Sequence, residues 1–217
     1  MTESVDEILE VIVLENFLRI PIEKQKKVID VALKAFSANG YKKTSASDIA
    51  TAAGISKAMI FHYFGAKKAL YLYLIDYCSN IVRNEFEREF DNTVTDFFDR
   101  IKLSANIEIS LTKQHPALLS FMKSVYFEDD DEVKADIKAI LAKSESLRDK
   151  IVFEGIDASK FKDGIDLKVF MKMFTCFAEG YINQLSSKAE FDIEIIRKEI
   201  YECMDLLKNN FYKEEYL

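Results

Sequence analysis

Glycine and proline are nearly missing: the 217-residue chain holds 6 and 2 of them. Both residues build turns, and an all-β protein needs many turns, so their scarcity points to long helices with short connections. Tryptophan is absent, histidine occurs twice (His62 and His115) and cysteine three times (Cys78, Cys176 and Cys203). Three widely spaced cysteines form neither a disulfide framework nor a zinc pattern; each reads as a small core residue in a reducing compartment. With two distant histidines and no nucleophile elbow, phosphate-binding glycine loop or metal-spaced His/Cys cluster, the sequence assembles no catalytic centre. No enzymatic activity, catalytic residue, metal site or cofactor is expected. No run approaches the roughly 20 apolar residues of a membrane span. The acidic start, "MTESVDEILEVIVLENFLRI", lacks the basic region and cleavage site of a signal peptide. The chain reads as soluble and cytoplasmic, with no membrane partner.

What is present suits a folded core: 49% of the residues are hydrophobic, too many for global disorder. The net charge of −7 is uneven. Residues 22–68 carry nine lysines against Glu23, Asp30 and Asp48, a net of +6. Residues 1–21 carry five acids and Arg19, a net of −4, which leaves −9 for residues 69–217. A basic segment in an acidic chain suggests a local polyanion-binding face. Ordinary solvated lysines would look the same by charge alone.

Helical spacing recurs along the chain. Val5, Ile8, Leu9, Ile12, Val13 and Phe17 form a stripe that ends near Pro21. Val28, Val31, Ala32, Ala35 and Phe36 form a second, closed by Asn39-Gly40. Thr44 and Ser45 are candidate N-caps for a short helix whose inner face is Ile49, Ala50 and Ala53. Gly54 ends that helix, and Ser56 caps a third with Ile60 and Phe64 inward. Small alanines let two helices approach closely and Gly54 permits the sharp turn, as in a helix-turn-helix, whose second helix lies in the DNA major groove. A long helix follows to about Phe90, with further helical patterns at about 94–113, 116–127, 132–153, 166–186 and 192–212. The acid run Glu128 to Glu132 is expected at a helix N-terminus, where carboxylates meet the positive end of the dipole. His115, before Pro116, reads as a loop or hinge residue.

The stretch "VALKAFSANGYKKTSASDIATAAGISKAMIFHYFGAKKAL" resembles the DNA-binding domain of the TetR family of bacterial transcriptional regulators, over about Lys26 to Leu70. The match is composite: helix, glycine, capped helix, an Ala-Gly-Ile-Ser turn, an aromatic cluster and a lysine. The resemblance implies an all-α homodimer with an N-terminal three-helix helix-turn-helix domain and a larger C-terminal helical domain for effector binding and dimerisation. The expected division is 1–21, an additional N-terminal helix; 22–66, the DNA-binding domain; and 67–217, the ligand-binding and dimerisation domain. By the family pattern Thr44, Ser45 and Ser47 meet the phosphate backbone. Ser56 opens the recognition helix, which presents Lys57, Ala58, Met59, His62 and Tyr63. Lys67 matches a phosphate-contacting position. Helix N-termini and their hydroxyl caps bind phosphate oxygens; lysine donates to guanine, and Ala58 or Met59 could pack on a thymine methyl.

The chain departs from the family pattern at Ala58 and Met59 (usually glycine and threonine), Phe61 (tyrosine), Gly65 (often lysine) and Ser47 (often arginine). Fewer charged contacts therefore reach the duplex edge. Phe61 and Phe64 are expected in the core, since buried aromatics supply most of a small subdomain's packing.

In the C-terminal part, an apolar and aromatic effector pocket is expected among Phe97, Ile101, Phe121, Met122, Tyr126, Phe174, Phe177 and Tyr181; a well-packed core is the competing reading for each. The segment 166–186 is apolar over more than one face, as in a helix packed on both sides. With the last helix it suggests a homodimer interface using Val169, Phe170, Met173, Ile196, Ile200 and Leu207. The expected function is a DNA-binding regulator, a repressor of an inverted-repeat operator released by a small, largely apolar effector of unknown identity. The alternative is an architectural DNA-binding protein of the same fold without an effector. The additional N-terminal helix packs on the DNA-binding domain, the C-terminal body or another chain; the sequence does not choose.

Overall fold

The computed structural model describes residues 15–186 and 193–217. The N-terminal stripe from Val5 to Val13 lies outside them. Among the described residues the chain is helical without a strand: α1 (Ile22–Lys43), α2 (Ala46–Ala53), α3 (Lys57–Phe64), α4 (Lys67–Glu89), α5 (Phe97–Gln114), α6 (Pro116–Tyr126), α7 (Lys134–Phe153), α8 (Leu167–Ser186) and α9 (Ile193–Phe211). Residues 15–18 form a further helical turn. His115 precedes α6 and Pro116 opens it, where the missing N–H costs nothing. The acid run stands ahead of α7, where Asp130 accepts from the Glu132 amide at 3.0 Å and its carbonyl accepts from the Val133 and Lys134 amides.

Packing divides the chain into two compact units, Met1–Ile81 with His115–Glu145, and Val82–Gln114 with Ser146–Leu217. The first unit thus adds α6 and the start of α7 to α1, α2, α3 and most of α4. Its core joins Val28, Ile29, Ala32, Leu33 and Phe36 of α1 to Leu70, Tyr71, Leu74 and Ile75 of α4 and Leu118, Phe121 and Val125 of α6. Phe36 meets Tyr71 edge-on at 4.8 Å, and Tyr71 meets Phe121 at 5.5 Å. Burial pushes the Cys78 thiol up to about 12, so it sits in the core as a small hydrophobe.

The second unit is built around phenylalanine. Phe97 and Phe98 of α5, Phe161 of the loop before α8, Phe170 and Phe174 of α8, and Met204 and Tyr212 are buried together. Phe161 and Tyr212 form an isolated antiparallel bridge that ties the loop before α8 to the end of α9. Asp96 caps α5 by accepting from the Phe98 and Asp99 amides, and its other oxygen holds Lys160 and Lys208 at 3.1 and 3.2 Å. Burial alone would raise this carboxyl, but the amide and the two lysines outweigh it and hold it below the usual carboxylate range.

Candidate nucleic-acid interface

The turn between α2 and α3 follows from two hydroxyls and a glycine. Ser45 is the N-cap of α2, accepting from the Asp48 amide at 3.1 Å and donating to the Asp48 carboxylate at 2.7 Å. Ser56 caps α3 by accepting from the Met59 amide at 3.2 Å. Between them Gly54 takes φ 75°, a left-handed conformation that a side chain would strain. Its N–H reaches the Ala50 and Thr51 carbonyls and closes α2. Ala50 and Ala53 are buried and small, so α2 and α3 pack closely.

α3 turns Ile60, Tyr63 and Phe64 inward. Lys57, Ala58, Phe61 and His62 stay on the exposed face, with Met59 at its margin. The Lys57 ammonium stands 5.8 Å from the centre of the Phe61 ring. A cation on an aromatic platform is equipped to meet base edges and phosphates together. Ser45 is half-buried and Ser47 exposed beside this face, on the first turn of α2.

Three residues depart from the expected arrangement. Phe61 is 39% exposed rather than core, because it lies one residue, about 100° of helix, beyond buried Ile60. Tyr63 is 5% exposed; its ring packs on Phe17 and Phe64 and takes the core place assigned to Phe61. Thr44 is 4% exposed, and its hydroxyl reaches back to the Gly40 carbonyl at 2.7 Å and the Ala35 carbonyl at 3.1 Å. It closes the end of α1, while Ser45 alone caps α2.

The end of α1 is held from several sides. Gly40 has φ 70° and breaks the helix before Tyr41. The Tyr41 amide donates to Glu128 at 2.7 Å, and the Tyr41 carbonyl accepts from Lys67 at 2.9 Å. The Lys67 ammonium also sits 4.1 Å from the centre of the Tyr41 ring. Lys67 therefore joins the start of α4 to the end of α1. Burial first, then Glu132 and its neighbouring carboxylates, push the Tyr41 phenol above its ordinary range. Sequence reading missed Glu128 because its partner is a backbone amide 87 residues away.

The expected effector residues are divided between the two units. Phe121, Met122 and Tyr126 lie on α6 in the first unit, where Phe121 is core and Tyr126 is exposed. In the second unit Ile101 packs against the cluster of Phe97 and Phe174, while Phe177 is exposed and Tyr181 donates to Glu199 at 2.7 Å. Phe97 is ringed by Phe98, Phe153, Phe161, Phe170 and Phe174, all within 6.0 Å. Among the expected interface residues, Val169 and Met173 are exposed and Ile196, Ile200 and Leu207 half-buried. Phe170 is buried in the cluster instead, its ring 5.4 Å from that of Phe97. Among the described residues no helix is long and apolar enough to cross a membrane.

Residues 28–74 match the family model for bacterial regulatory proteins of the tetR family. The fatty acid metabolism regulator protein of Bacillus subtilis is 22% identical over 182 residues, 83% of this chain and 93% of that protein. Among solved structures, a TetR family transcriptional regulator from Chloroflexus aurantiacus superposes with a TM-score of 0.68 at 22% identity, covering 92% of this chain and 98% of its own. The transcriptional regulator FadR from Bacillus subtilis, in complex with stearoyl-CoA, gives 0.64 at 20% identity, covering 82% and 96%. The matched segment holds the two capped helices, the Gly54 turn and the exposed face of α3, and over residues 28–74 the chain is similar to bacterial regulatory proteins of the tetR family.

Proposed function

We propose that the chain is a sequence-specific transcriptional repressor that leaves its operator when a small, largely apolar effector binds. The observation that carries this reading is α3: an eight-residue helix, capped by Ser56, buried through Ile60, Tyr63 and Phe64, and open to solvent at Lys57, Ala58, Phe61 and His62. Lys57 and His62 supply donors, Ala58, Met59 and Phe61 apolar contacts for thymine methyls, and Ser45, Ser47 and Lys67 phosphate contacts. Two copies associate through α8 and α9. Support comes from the outward apolar stripe Val169, Met173 and Phe177 on α8, with Ile195 and Leu206 exposed on α9. Such a dimer sets its recognition helices about 34–36 Å apart, on successive major grooves of an inverted repeat.

The apolar part of the effector is a long acyl chain, of the kind that a long-chain acyl-CoA carries. Support comes from the relatives, one a fatty acid metabolism regulator and one solved with stearoyl-CoA, and from the phenylalanine-rich second unit. An effector that favours a different spacing of the heads lowers operator affinity by its preference for that state.

Selection of bound duplexes from a random library at two salt concentrations tests the first half. The expected result is an inverted repeat whose binding weakens steeply with salt. A folded, ligand-stripped protein that enriches no sequence refutes the proposal. With the operator in hand, stearoyl-CoA should release the complex while coenzyme A alone leaves it bound.

A further inference from the structure

The segment before α1 lies outside the family match, which begins at residue 28. It nevertheless reaches the reading head. Phe17 is fully buried, with its ring centre 4.7 Å from that of Phe64 and 5.7 Å from that of Tyr63, both on α3. Its edge meets Tyr73 of α4 at 5.8 Å. The turn that carries it is anchored. The Ile20 amide closes on the Phe17 carbonyl at 3.3 Å. Gln25 of α1 donates its side-chain amide to the Leu18 carbonyl at 3.0 Å and the Ile20 carbonyl at 2.8 Å.

An eight-residue helix is too short to hold its own shape or direction in water. The direction of α3 comes from what its inner face rests on. Tyr63 and Phe64 occupy adjacent positions, about 100° apart around the helix. A single ring packed on both, and braced on α4 through Tyr73, opposes rotation of α3 about its axis. Such a rotation would carry Lys57, Ala58, Phe61 and His62 across the base edges. Contacts to phosphate, which carry no sequence information, tolerate it far better.

We infer that Phe17 is a positioning residue for base reading: the turn before α1 straps the recognition helix against α4 and sets the angle at which α3 meets the duplex. The inference rests on the proposed DNA-reading function. The described residues 15–20 of the additional N-terminal segment thus serve the DNA-binding domain of their own chain.

The test compares the full-length wild type with Phe17→Ala and Phe17→Leu. Selected-operator and random-duplex affinities are measured below each protein's melting transition. Phe17→Ala should lose about tenfold or more in operator affinity, the scale of one lost base-pair contact. Its affinity for random duplex should stay unchanged, so the specificity ratio falls. Phe17→Leu restores apolar volume but not the ring, and should recover only part of the ratio. If Phe17→Ala does not fold, the Leu variant carries the comparison. An unchanged ratio in the folded variant overturns the inference. So does an equal drop on both duplexes, which would mean that Phe17 merely stabilises the fold. A wild type that enriches no operator overturns the proposed function itself, and the inference with it.

Discussion

Replacing Glu128 by alanine should loosen the joint between α1 and α2 without touching the recognition face. Glu128 is half-buried, and one of its oxygens accepts from the Tyr41 amide at 2.7 Å while the other accepts from the Asp130 amide at 3.2 Å. A hydrogen bond to an ionised group contributes about 1.5–3 kcal/mol net. The alanine variant strands a part-buried backbone N–H, so a loss of about 2 kcal/mol is expected. In a chain of this length that lowers the melting temperature by roughly 4–8 °C. Glutamine keeps an acceptor but gives up the charge, and should cost about 1 kcal/mol, or roughly 2–4 °C. It also controls for the repulsion that any charge removal relieves in the run Asp129 to Glu132. Gly40 sharpens the test. At φ 70°, a Cβ there would stand 3.2 Å from the same Glu128 oxygen. Gly40→Ala should therefore destabilise, and the double variant Gly40→Ala/Glu128→Ala should lose less than the two single losses added together. Calorimetric melts of the four proteins decide it. Melting of Glu128→Ala within a degree of wild type, or Glu128→Gln below Glu128→Ala, would refute the reasoning.

Phe64→Ala empties a buried ring site and should cost about 3–5 kcal/mol, whereas exposed Phe61→Ala should stay within about 1 kcal/mol of wild type; equal melting temperatures would return Phe61 to the core. The same Phe61→Ala variant should weaken operator binding. Asp96 is held below its ordinary range when folded. Its stabilising contribution is therefore complete above the unfolded value near 4 and is lost as pH falls through the lower folded value. Asp96→Asn should flatten the acid limb of stability against pH, and an unchanged limb would remove Asp96 from the account. Trimming Phe97, ringed by five phenylalanines, to alanine should cost about 3–5 kcal/mol, read as a lower transition in calorimetry.

The sequence by itself determined the helices and the reading head. Few glycines and prolines, a 3.6-residue apolar period and hydroxyl caps at Ser45 and Ser56 are local signals, and local geometry obeys them. The Gly54 turn was legible for the same reason: a left-handed φ is a property of one residue. Tertiary structure alone decided which aromatic faces inward. Ile60, Phe61, Tyr63 and Phe64 are all apolar or aromatic, so period does not separate them, and the seat for Tyr63 is made by Phe17, 46 residues away. It also decided that Thr44 serves α1, that Glu128 holds Tyr41, and that Phe121 belongs with Phe36 and Tyr71 while Phe170 belongs with Phe97. Those outcomes depend on which distant surfaces meet. A hydrophobic pattern records that a side chain will be buried, but the burial energy is non-directional and names no partner.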